Sequence, residues 1–90
     1  MSKRVINVLK AIADDTRYEI VLFLAGKKVA SCKDISQKFP KLSQPTMSHH
    51  FKILKDAGIL AVEKRSTENT YILNIDAIKS IGIDLRKINN

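Results

Sequence analysis

A mainly helical fold closed by a small β-hairpin is what these 90 residues predict, and three observations predict it. Apolar residues recur at helical spacing in four successive stretches before residue 58. The period then switches to partial alternation in two short β-branched runs. It returns to helical spacing from residue 76 onward. Ninety residues leave room for one core, so a single domain over 1–90 is expected. At 44% hydrophobic and 28% charged residues, the composition is that of an ordinary globular chain and excludes a disordered or collagenous one.

Each element has its own warrant. Val5, Leu9 and Ile12, with Val8 beside them, mark an amphipathic helix over 3–13. Asp14 is placed to cap the next helix, with Asp15 and Glu19 suiting its dipole. Ile20–Ala25 is apolar all round, so this second helix should be central, and Gly26 is expected to end it. Ser31 followed three residues later by Asp34 forms a capping pattern for a short third helix with Ile35 and Phe39 on its buried edge, stopped by Pro40. Ser43 caps a fourth helix that accepts Pro45 in its first turn. Met47, Phe51 and Leu54 are its apolar stripe and Gly58 its end. Residues 59–65 and 70–75 read as hairpin strands around a loop at 66–69. Asp76 can cap a last helix over 76–88, in which Ile78, Ile81, Leu85 and Ile88 keep the spacing of a packing seam. A glycine at 82 weakens that helix.

Charge placement says more than net charge. The +7 total is concentrated in residues 27–55, where seven lysines face Asp34 alone for a local +6. Residues 1–26 carry +1, and residues 56–90 hold five charges of each sign. A basic middle suits either a polyanionic partner or a solvated lysine face. The longest apolar run is six residues, far short of the roughly 20 a membrane helix needs, so no membrane partner is expected. The N-terminus lacks the apolar stretch of a secretory signal, and the single cysteine fits a reducing cytoplasm.

Helix, helix, turn, helix, hairpin, helix is the order of a winged helix-turn-helix, mainly α with a small β-hairpin wing (α-α-α-α-β-β-α). The second helix of such a motif enters the DNA major groove. With Met47, Phe51 and Leu54 inward, the fourth helix turns out Gln44, Thr46, Ser48, His49, Lys52 and Lys55. Amide, hydroxyl and imidazole groups read base edges while lysines hold phosphates. That face is short in acids, Asp56 at its far end being the only one. Ser43 and Lys41 flank its start and complete the candidate DNA contacts on this side. His50 is included among them, although it borders the core stripe and packing can hold it neutral. Enzyme readings fail for want of parts: the chain has no nucleophile elbow, no phosphate-binding glycine loop and no metal-ligand cluster. An assembly module without DNA contact is the alternative class, since winged helices also serve that use.

The stretch Leu42-Ser43-Gln44-Pro45-Thr46-Met47-Ser48-His49-His50-Phe51-Lys52-Ile53-Leu54-Lys55-Asp56-Ala57-Gly58-Ile59-Leu60 resembles the recognition-helix signature of the ArsR-type bacterial repressors. Leu9 to Arg17 resembles their opening motif, and Tyr71-Ile72-Leu73-Asn74 their second wing strand. The likeness covers about residues 8–75. It implies a homodimeric repressor on a near-palindromic DNA operator, with terminal helices building the interface. Val5, Leu9, Ile12, Ile78, Ile81, Leu85 and Ile88 are the seam residues expected there. Asp15 stands where the family usually has proline. The wing tip Ser66-Thr67-Glu68-Asn69 lacks the common glycine and carries an acid, leaving Lys64, Arg65 and Asn69 as wing contributors. Where the family's metal site has Cys-x-Cys, this chain has Ser31-Cys32-Lys33, and no histidine lies on its last helix. No metal or other cofactor is expected. Cys32 is either a small buried apolar residue or, beside Lys33 at a helix start, a thiol open to oxidation.

Overall fold

The computed structural model describes residues 2–82. Its elements are α1 (Lys3–Ile12), α2 (Asp15–Lys27), β1 (Val29–Ser31), α3 (Cys32–Lys38), α4 (Gln44–Asp56), β2 (Leu60–Arg65), β3 (Glu68–Leu73) and α5 (Ile75–Lys79). The expected fold class is present, with one strand more than the sequence pattern indicated.

Local chemistry sets the helix starts. Ser2 accepts from Val5 N–H at the head of α1, and Asp14 accepts from Arg17 N–H at the head of α2. Ser31 and Asp34 form a reciprocal capping box on α3, each accepting from the other's backbone N–H. Ser43 caps α4 with a proline in the first turn.

The ends depart from expectation in three places. The second helix runs past Gly26, and Lys28 makes the left-handed turn instead at φ 68°, its N–H bonded to Leu24 O at 2.6 Å. That turn drives the chain straight into β1, a strand of three residues that pairs with β3 through Ala30 and Tyr71. At the wing tip, Arg65 pairs with Glu68, so the connection is the two residues Ser66 and Thr67, with Ser66 at φ 58°, and not a loop over 66–69. The last helix, expected over 76–88, begins at Ile75 behind Asn74 and ends at Lys79. Gly82 takes φ 81°, a conformation incompatible with helix continuation at that point. Leu85 and Ile88 lie outside the described residues.

The sheet order is β1-β3-β2, antiparallel throughout. It closes one side of a core built on Val8, Ile20, Leu24, Ile35, Met47, Leu54, Ile59 and Ile78, all nearly or fully removed from solvent. Burial of this kind contributes roughly 1.5–3 kcal/mol per large side chain. Phe51 and Tyr71 rings lie 4.3 Å apart and seat α4 against the wing. One seam expectation is corrected here. Ile78 is 1% exposed inside the chain's own core, so it has no surface left for a partner. On α1 the core face is Val8 and Ala11, while Val5 and Ile12 are half-buried and Leu9 remains 37% exposed. Ile81 is half-buried against the same core.

Candidate nucleic-acid interface

The inward stripe Met47, Phe51 and Leu54 locks α4 to the core, and Ser36 Oγ donates to Met47 Sδ at 3.7 Å across the α3–α4 corner. Locking the inner face fixes what the outer one presents. Gln44, Thr46, Ser48, His49, Lys52 and Lys55 are all exposed on it, and Lys41 is exposed on the link before it. Ser43 is exposed but committed: its Oγ accepts from Thr46 N–H at 3.3 Å and donates to Thr46 Oγ1 at 2.9 Å. That pair orders the helix start and draws on both hydroxyls, so Ser43 acts first as a cap.

The C-terminal half of α4 is electrostatically quieter. Lys52 Nζ donates to Asp56 Oδ2 at 2.8 Å, one turn away. The same bond raises the lysine's pKa above its ordinary value. Both side chains are well exposed, so the pair is weak in water and able to exchange partners.

The wing meets the recognition helix in a groove of about 360 Å³ lined by Ser48, Phe51, Lys52, Lys55, Asp56, Val62, Asn69 and Tyr71. The geometry therefore brings Ser48, Lys52 and Lys55 together with one wing candidate, Asn69. Lys64 and Arg65 are exposed near the tip and do not line that groove. Arg65 lies 3.6 Å from Glu63, while Glu68 Oε1 accepts from Lys33 N–H at 3.2 Å. The acid on the wing is thus a tie to the start of α3, a long-range contact that no local pattern signals.

His50 is the site residue whose surroundings differ most from expectation. It is half-buried and faces away from the outward set, toward Asp14 and Arg17 at the α1–α2 corner. Its Nδ1 lies 3.2 Å from Arg17 Nη1, and Arg17 Nε donates to Ala11 O at 2.6 Å. Burial pushes the His50 pKa below its ordinary value, against the pull of Asp14. Asp14 in turn is held below the usual carboxylate range, chiefly by the Arg17 backbone N–H. The capping carboxylate of Asp34 is lowered for the same kind of reason, by Ser31 N–H. Among the described residues, no three His, Cys, Asp or Glu side chains are grouped to hold a metal ion. No described helix is long and apolar enough to cross a membrane.

Against known proteins, the helix-turn-helix domain family matches residues 12–63, which spans α2 through most of the first wing strand. An HTH-type transcriptional regulator of Methanocaldococcus jannaschii is 41% identical over 76 residues, 83% of each chain. The arsenical resistance operon repressor of Staphylococcus xylosus is 33% identical over 97% of this chain and 82% of its own length. Among solved structures, HlyU from Vibrio cholerae superposes with a TM-score of 0.79 at 24% identity, covering 98% of both chains. At that identity the last match speaks for the fold.

Proposed function

The chain belongs to the ArsR-type winged helix-turn-helix transcriptional regulators, and from that membership we propose a sequence-specific DNA-binding repressor that acts in the cytoplasm as a homodimer on a near-palindromic operator. The family is one of regulators, not enzymes. The observation that carries the reading is the outward face of α4, where amide, hydroxyl and imidazole groups stand exposed while the inner stripe is fixed in the core. Gln44, Thr46, Ser48 and His49 read base edges. Lys41, Lys52 and Lys55 hold phosphates, with Lys64, Arg65 and Asn69 contributing from the wing and Ser43 ordering the helix start.

Dimerisation is supported by α1, which leaves Ile6 and Leu9 each 37% exposed beside half-buried Val5. An apolar stripe at the domain's edge gains by burial against a copy of itself. Ile12, half-buried on the same helix, and Ile81, Leu85 and Ile88 near the chain's end complete the proposed seam. No resident metal or cofactor enters this reading: the one cysteine is flanked by Ser31 and Lys33, and His50 is engaged with Arg17.

The test is selection of duplexes from a random pool followed by footprinting and light scattering. The expected result is an enriched inverted repeat, protected in half-sites about one helical turn (~10 base pairs) or a multiple apart, bound by two protomers. Leu9→Lys should give folded monomers with lost operator binding. No enrichment, with only uniform salt-sensitive binding, would favour an assembly module instead.

A further inference from the structure

The two adjacent histidines of α4 have different surroundings. His49 is exposed on the outward face, whereas the His50 side chain is 12% exposed and meets Arg17 and Asp14 across the α1–α2 corner. A guanidinium has only donors, so the 3.2 Å contact between Arg17 Nη1 and His50 Nδ1 is a hydrogen bond only when Nδ1 is bare and the ring proton sits on Nε2. Arg17 is itself held at two further points, by Ala11 O on Nε at 2.6 Å and by Asp14 Oδ2 on its backbone N–H at 3.0 Å. Its guanidinium is anchored through Nε, and His50 is the α4 side chain that hydrogen-bonds to it.

We infer that His50 is a positioning residue: accepting from Arg17 at Nδ1, it removes the residual rotation that the Met47-Phe51-Leu54 stripe leaves to α4 and so refines where Gln44, Ser48 and His49 point. The inference rests on the DNA reading of α4 given above. Geometry makes the control sensitive. At about 6 Å from a helix axis, a rotation of about 20° moves a side chain by about 2 Å, well beyond the tolerance of a hydrogen bond.

Protonation works against this contact. The titratable and charged groups facing the ring are Arg17 and Asp14 from the corner, with His49 on its own helix. A proton on Nδ1 removes the acceptor, sets two cations against each other, and leaves Asp14 Oδ2, 4.0 Å away, as the alternative partner. Because the folded pKa lies below the unfolded value of about 6.5, the unfolded chain takes up more protons across that window. The contribution of His50 to stability is therefore present above pH ~6.5 and lost as pH falls toward the folded pKa.

Two substitutions separate positioning from direct contact. In His50→Asn the side-chain oxygen falls near the place of Nδ1 and preserves the acceptor; in His50→Gln the terminal amide falls near Nε2 and does not. On the duplex selected by the wild type, His50→Asn should stay within about threefold of wild-type Kd. His50→Gln should lose about tenfold there and less than threefold on random duplex, both estimates on the scale of one well-made contact. In the free protein, His50→Gln and not His50→Asn should shift the amide resonances of Gln44 and Lys55, which lie more than one helical turn from the substitution. Nitrogen-resolved spectra should show a bare Nδ1 at pH 7, and replacing His50 should flatten the fall in wild-type stability between about pH 7 and 5. Retained binding in His50→Gln with loss in His50→Asn would overturn the inference in favour of DNA contact through Nε2. So would equal behaviour of the two variants, or a protonated Nδ1 at pH 7. Failure to select any duplex would remove the DNA reading alone, and the free-protein spectra would then decide the positioning claim.

Discussion

The recognition helix and the wing are both exposed and both carry cations, yet they use their polar groups differently. In the first turns of α4, Gln44, Ser48 and His49 project from a backbone whose other side is bolted into the core. On the wing, Glu63 sits by Arg65, Glu68 holds the start of α3, and β2 is exposed at every position after Leu60. A rigid helix with uncommitted hydrogen-bonding groups suits base discrimination. A thin hairpin whose charges are partly internal suits a weaker, sequence-blind contact.

The largest expected difference is in stability. Leu54→Ala empties a fully buried site under the recognition helix and should cost about 2–5 kcal/mol by urea unfolding. Val62→Ala on β2, where the side chain is 36% exposed, should cost less than about 1 kcal/mol. Similar losses would mean that the wing is as deeply anchored as the helix.

Lysine replacements give the next effect. Each phosphate contact removed should flatten the dependence of log affinity on log salt by about 0.9, for Lys41→Ala and Lys55→Ala alike. Lys52→Ala should change it less, because that ammonium is tied to Asp56 at 2.8 Å before DNA arrives. An equal change for all three would show that the pair opens without cost.

The smallest effect belongs to Glu68→Gln, which keeps an acceptor for Lys33 N–H while removing the negative charge at the wing tip. Affinity for random duplex should rise by no more than about twofold. No rise would place the wing tip away from phosphates.

The legibility of the two regions in the sequence differs for the same physical reason. Caps, stripes and stop signals are local, so Asp14, Ser31 with Asp34, Ser43 and the Met47-Phe51-Leu54 stripe could each be read from neighbours a few residues apart. The outward set on α4 followed from that stripe by helical geometry. Contacts between distant segments left no such trace. β1 is three residues whose only warrant is pairing with β3 some forty residues later. The engagement of His50 by Arg17 crosses 33 residues, and that of Lys33 by Glu68 crosses 35. Ile78 had the spacing of a seam residue, but helical spacing does not say whether a stripe meets its own core or a second chain. The left-handed turn fell to Lys28 in place of Gly26 because entry into β1 decided where α2 stops.

The central claim is that the helix discriminates between sequences and the wing does not. It is tested most directly by measuring Kd for wild type, for Gln44→Ala with Ser48→Ala, and for Lys64→Ala with Arg65→Ala. Each is titrated on the selected duplex and on a random one at fixed salt. The helix pair should lose about 1–3 kcal/mol per residue on the selected duplex and little on the random one, while the wing pair should weaken both by the same small factor. Loss of discrimination in the wing pair, or equal losses on both duplexes in the helix pair, would contradict the account.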